Sequence, residues 1–223
     1  MNLPDHALYT LVAALNSAIH PLFGPLSAAL AIVLFTILIR LALLPLAIRA
    51  ASGEKARARL QPRVKALMQR HRRDPERQKR EIQALYAAEG VSPFAGFLPV
   101  LAQWPVFAVL YSVFRSKVVA GHRNVLLAHT LLGAPLDQSL LGTVSVYGLI
   151  SPQTLVFVGL LGAIAGVAWW SSRKLTGVLR LTPYVTVLFA AFTPLAAATY
   201  LVTTTTWTAV ERAVLRRDLA LAA

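Results

Sequence analysis

The sequence predicts an all-α, polytopic membrane protein: five transmembrane helices, with a cytoplasmic helical hairpin between the first two. Three observations predict it. Hydrophobic residues make up 57% of the chain and charged residues 14%. A soluble domain carries about 45–50% and roughly 25%, so the surplus apolar surface needs lipid. That surplus is gathered into long runs, and the Lys and Arg residues behind the net charge of +13 cluster between the runs. Basic segments beside apolar runs mark orientation in a membrane, so the charge does not by itself indicate a nucleic-acid binder.

Residues 1–24 read as an external amphipathic helix at the membrane interface. Asp5 suits an N-cap, and Leu8, Leu11, Val12, Leu15 and Ile19 recur at helical spacing. No Lys or Arg precedes Arg40, so a signal peptide is not expected and residues 1–20 are read as mature protein. Residues 25–49 form the first span, in which the apolar run 26–48 is broken by one charge, Arg40. Such a run is about 35 Å long, enough to cross a bilayer.

Residues 50–92 read as a basic cytoplasmic hairpin. Leu60, Val64, Leu67 and His71 share one stripe of the first arm. Asp74-Pro75-Glu76 is a helix start, with an N-cap, a proline at the first position and an acid in the first turn. Ile82 and Leu85 lie on the second arm, Gly90 suits its C-terminal cap and Pro93 forbids continuation. Residues 93–115 form the second span, with Pro99, Gln103 and Pro105 inside it. Residues 116–151 are apolar but cut by Gly and Pro into runs too short to span, and read as an external interfacial loop.

Residues 152–171 form the third span, closed by Trp169-Trp170 and the basic flank Arg173-Lys174, an aromatic belt next to the cytoplasm. Residues 172–180 are a short cytoplasmic loop. The run 181–210 would be about 45 Å long as one helix, against a hydrocarbon core of about 30 Å. Arg180 precedes it, and Arg212, Arg216 and Arg217 follow it. Both flanks favour the cytoplasm, which requires an even number of crossings. Pro194 near the middle marks the turn, giving short spans over 181–194 and 195–211, with 212–223 as a basic cytoplasmic tail. The N-terminus is then outside the membrane and the C-terminus on the cytoplasmic side.

Arg40 is the sharpest functional signal. An arginine in hydrocarbon costs about 3 kcal/mol on insertion scales, and such residues mark polar pathways unless they snorkel to the headgroups. No Asp or Glu interrupts the runs 26–48, 94–114, 153–170 or 181–210. The candidate partners are therefore Thr36 one turn away, Gln103, the threonines 203–206, water, lipid phosphate or a visiting polypeptide. This composition implies a water-filled recess open to the cytoplasm. Gln103 has a second reading as interhelical glue, and Gly162 and Gly166 read as a close-packing pair.

Enzyme signatures are missing: there is no GxxxxGK[ST], HExxH or GxSxG. The chain has no cysteine, and His6, His20, His71, His122 and His129 fall on different segments, so neither a metal nor another cofactor is expected. A small transporter or channel for an anionic solute, or a non-inserting assembly scaffold, are the competing functional classes. The first predicts inverted internal repeats, which the sequence does not display.

Together these residues resemble the YidC/Oxa/Alb family of membrane protein insertases over nearly the whole chain. Thr36-Ile-Leu-Ile-Arg40 with Pro45 is similar to the first core span and its groove arginine. Leu60-Gln61-Pro62 and Ala84-Leu85-Tyr86 resemble hairpin landmarks. Ser92-Pro93, Gly96-Phe97-Leu98-Pro99, Gln103, Pro105-Val106-Phe107 and Leu110-Tyr111, in that order, resemble the most specific block. Phe192-Thr193-Pro194 and Tyr200 resemble the last turn and span. The chain departs from the family pattern at Pro194-Leu195-Ala196, where Pro-Ser-Gly is usual, and at Thr205, where Asn is usual.

The resemblance implies the compact form without the large periplasmic domain, and a hydrophilic groove lined by Arg40, Thr36, Gln103, Tyr200 and Thr203. It also implies nascent membrane proteins as clients, with the ribosome, the Sec translocon and anionic lipids as candidate partners.

Overall fold

The computed structural model describes residues 3–92, 107–108, 110–114, 116, 118–119, 122–173, 175 and 177–220. Expectations for Gln103 and most of the 93–115 span lie outside the described residues. The chain divides into two units, Met1–Leu41 with Pro105–Arg212 and Ala42–Trp104 with Ala213–Ala223.

In the first unit, α1 (Leu3–Phe23) begins earlier than expected. Asp5 therefore lies inside the first turn, not at the cap, because Pro4 is readily housed where N–H groups have no partner anyway. Its core face is Val12 and Asn16, with Tyr9, Leu15 and Ile19 beside them, while Leu11 is exposed. Gly24, at φ 50°, turns the chain through the 3-10 stretch Gly24–Leu26 into α2 (Ser27–Arg70). α2 buries Ala28, Ala31, Ile32, Phe35 and Thr36 and exposes Leu34, Leu38 and Leu41. A helix apolar on all sides is suited to lipid.

The first span and the first arm of the hairpin are one helix: α2 runs unbroken through residues 49 and 50, with Pro45 and Pro62 inside. Beyond Gly53, good helix formers follow to Leu60, and their propensity carries the helix on.

Residues 107–108 and 110–114 are helical. Asn124 closes that end, its amide donating to the carbonyls of Val113 (2.8 Å) and Ser116 (3.0 Å) while Oδ1 accepts from Leu126 N–H (3.2 Å). The region read as an interfacial loop carries structure of its own. It holds the antiparallel pairs β1 (Val118–Val119) with β2 (His122–Arg123) and β3 (Thr130–Leu131) with β4 (Ala134–Pro135). Leu132 and Gly133, both at positive φ, make the two-residue turn between β3 and β4. The helix α4 (Leu140–Tyr147) follows, capped by Ser139.

Ser151 caps α5 (Pro152–Ser172), accepting from Thr154 N–H at 3.2 Å. α5 packs against α6 (Thr182–Phe192), and α4 against both. The chain then breaks at Thr193-Pro194 and resumes as α7 (Leu195–Ala220). Two orphan donors at the start of α7 are met from outside the helix: Leu195 N–H by the Gln138 carbonyl (2.9 Å) and Ala196 N–H by that of Leu136 (3.0 Å). Phe189 before the break and Tyr200 after it each bring a ring to Phe107, at 6.2 and 5.9 Å.

Two helical runs among the described residues are long and apolar enough to cross a membrane, one within Tyr9–Arg70 and Pro152–Ser172. α6 is apolar but shorter, about 16 Å against a core of about 30 Å. Exposed Leu155, Val158, Val185, Leu188 and Phe192 give α5 and α6 lipid-compatible faces. At the end of α5 the Arg173 guanidinium lies 3.6 Å over the Trp169 ring. The close packing expected at Gly162 and Gly166 is not made by the described residues: outside the glycines' own helix, none lies within 4 Å of the Cβ position of either.

In the second unit, α3 (Pro75–Ala88) follows the α2 arm. Leu60, Val64 and Tyr86 are buried together with Ile82, Leu85 and Val91 around them. Asp74 caps α3, its side chain accepting from Arg77 N–H at 3.0 Å. At the other end Val91 N–H bonds the Tyr86 carbonyl (3.0 Å) and Gly90 N–H that of Ala87 (3.1 Å), with Gly90 at φ 62°. This is a Schellman ending, and Val91 supplies its hydrophobic contact. Arg63 and Glu89 pair across the arms at 2.6 Å.

Candidate functional site

Arg40 sits on α2 where the surrounding sequence is apolar, and its side chain reaches α7. Nε donates to Thr204 Oγ1 at 3.0 Å. Nη2 donates to the same hydroxyl at 2.5 Å, to the Thr204 carbonyl at 3.1 Å and to Thr208 Oγ1 at 2.8 Å. Thr204 and Thr208 are four apart on a helix and so share a face. Thr208 returns its own proton to the Thr204 carbonyl at 2.8 Å, which tightens the pair. Nη1 has no hydrogen-bond partner among the described residues.

No carboxylate pairs with Arg40 among the described residues. Glu211 is held one turn beyond Trp207, whose Nε1–H donates to its Oε2 at 2.8 Å.

The other sequence-derived candidates take different roles. Thr36 is buried, and its hydroxyl donates to the Ile32 carbonyl at 2.6 Å. Thr203 donates to the Thr199 carbonyl, as Thr199 does to Leu195 and Thr205 to Leu201, at 2.7–2.8 Å. A hydroxyl has one proton, so these threonines keep only acceptor lone pairs for anything beside the helix. Tyr200 is buried, in an aromatic cluster with Phe107, Tyr111 and Phe189. Gln103 lies outside the described residues.

The run 203–206 contains Thr204, but Thr208 and Glu211 were not singled out from the sequence. Their signal was the spacing 204, 208, 211, one face of a helix, visible once the helix is extended past the apolar run.

The order of landmarks around Arg40 has a counterpart among known proteins: the family model described as 60Kd inner membrane protein matches residues 18–221. The chain belongs to the YidC/Oxa/Alb family. It is a family of polytopic membrane insertases, not of enzymes. Similar proteins include the membrane protein insertase YidC of Zymomonas mobilis, 31% identical over 179 residues, covering 75% of this chain and 30% of that protein. YidC of Acidiphilium cryptum is 37% identical over 159 residues, 69% of this chain and 26% of the relative. This YidC/Oxa/Alb chain thus spans between a quarter and a third of the length of these curated relatives.

Proposed function

We propose that this chain is a membrane protein insertase. In this reading, a hydrophilic groove open to the cytoplasm and to lipid receives the polar flank of a nascent membrane protein, and the client's hydrophobic helix leaves into the bilayer. The observation that carries the proposal is Arg40: a cation in an apolar helix, held by hydroxyls and a carbonyl and paired with no carboxylate among the described residues. A structural ion would be neutralised by a partner. One that keeps its charge, with no partner for Nη1 among the described residues, suits transient contact with carboxylates and carbonyls.

Thr203 and its neighbours add acceptors for the N–H groups of the same client, Thr36 and Tyr200 belong to the wall, and Gln103 is the second span's contribution. Burial of the client's apolar helix and the membrane potential, at about 2.3 kcal/mol per charge per 100 mV, supply the drive without nucleotide. The short α6 fits this role, because a short arm thins the bilayer beside it.

The supporting topology has the N-terminus outside, five spans, and residues 50–92, 172–180 and 212–223 in the cytoplasm. There the basic hairpin meets the ribosome, a Sec translocon or anionic lipid. The test is insertion of a short single-span client into proteoliposomes by Arg40→Lys, Arg40→Ala and Arg40→Glu. Lys retains much of the activity because the contact is a diffuse charge; Ala and especially Glu lose clients with acidic translocated flanks. Full insertion by the Glu variant of a client that depends on the unmodified protein would remove Arg40 from the mechanism and favour the scaffold.

A further inference from the structure

Away from Arg40, the fold joins two histidines that are far apart in sequence. His20 stands near the end of α1, four residues after Asn16 and so on the same face. His129 lies between the 3-10 turn Val125–Ala128 and β3, its carbonyl fixed by Leu136 N–H at 3.2 Å. The two rings are 5.8 Å apart between centroids, edge to face. The Asn16 amide nitrogen is 3.5 Å from His129 Nε2. Asn16 is 6% exposed, and its Oδ1 is buried without a hydrogen-bond partner.

We infer that Asn16, His20 and His129 form a binding site for a divalent transition-metal ion, zinc being the probe of choice, which clamps α1 to the segment around His129. The spacings fit. With zinc–nitrogen bonds of about 2.0–2.1 Å, two imidazoles on one ion have ring centroids about 5–6 Å apart and ligand atoms about 3.4 Å apart. The 3.5 Å between the Asn16 amide and Nε2 is long for a hydrogen bond, yet it matches two ligands flanking one ion. A half-turn of the amide exchanges its ends and points Oδ1, an oxygen that can ligate, at the ion.

Neutral imidazole is the commonest biological metal ligand and suits zinc, copper and nickel, whereas calcium and magnesium favour an all-oxygen set. No three His, Cys, Asp or Glu side chains cluster for a metal among the described residues, so water completes the shell. His20 is exposed, which leaves the ion a way in from solvent.

The experiment is zinc titration by calorimetry, with metal analysis after desalting and thermal unfolding, on the full chain without a polyhistidine tag. We expect one zinc per chain and a rise in unfolding temperature. Each of His20→Ala and His129→Ala should weaken binding by more than about tenfold, the scale on which metal-site losses are felt. Asn16→Asp, which adds a charged oxygen, should tighten it, and His71→Ala in the hairpin should leave it unchanged. His20 is at the surface, so its loss does not threaten folding. No saturable binding, or binding equal in the unmodified chain and both histidine variants, would overturn the site. The Arg40 insertion assay reads independently of either outcome.

Discussion

Replacing Thr204 or Thr208 with valine tests the geometry around Arg40 most directly. Valine keeps the shape of threonine and removes the hydroxyl, so packing is nearly unchanged while acceptors vanish. At position 204 the change deletes two of the four bonds that Arg40 makes among the described residues, those of 3.0 and 2.5 Å, and leaves the main-chain carbonyl. At position 208 it deletes the 2.8 Å bond and the hydroxyl that braces Thr204.

Hydrogen bonds to a charged group contribute about 1.5–3 kcal/mol. Polar pairs between membrane helices average about 0.6 and reach about 1.7 kcal/mol, because alternative partners exist in the unfolded state. Arg40 is only part-buried, so water can replace some of what is lost. A coupling energy with Arg40 of about 1.5 kcal/mol for Thr204 and about 1 kcal/mol for Thr208 follows. The assay is a double-mutant cycle with Arg40→Ala, read by unfolding in bicelles. In the Arg40→Ala background either valine should cost little, since the hydroxyl then has no cation to serve. Coupling below about 0.5 kcal/mol at both positions, the level at which independent sites add, would refute the contact.

Two further outcomes are expected. Asp74→Ala removes the cap of α3 and should destabilise the hairpin by about 1 kcal/mol, seen as faster amide exchange within residues 60–86; unchanged exchange would contradict the cap. A cysteine placed at Arg216 should be labelled from the cytoplasmic side only; labelling from outside would reject the even number of crossings after residue 180.

Features set within a few residues of chain were legible in the sequence. The Asp74 cap and the Gly90 ending depend on contacts along one or two turns, and the structure has both; of the stripe Leu60, Val64, Leu67 and His71, periodicity gave the face, and Leu60 and Val64 enter the cluster with Ile82 and Leu85. The break at Pro194 was equally local, since proline cannot continue the helix before it. The membrane character came from composition, because apolar surface in such excess has no other solvent. The strand pairs were beyond reach, since two-residue strands are too short to display an alternating period. The Gly162 and Gly166 spacing states which face is small but not whether a helix covers it, and none of the described residues does.

What the sequence by itself determined is that a charge stands in an apolar helix at Arg40 and that no acid within the runs can answer it. Only the tertiary structure decided which residues do answer it: Thr204 and Thr208, 164 and 168 positions away. Tertiary structure likewise brought His129 to Asn16 across 113 positions and to His20, where the sequence displayed only scattered histidines. The physical reason is the same in each case. Helical periodicity and capping act over three or four residues, whereas the partner of a side chain on another helix is chosen by how the helices pack.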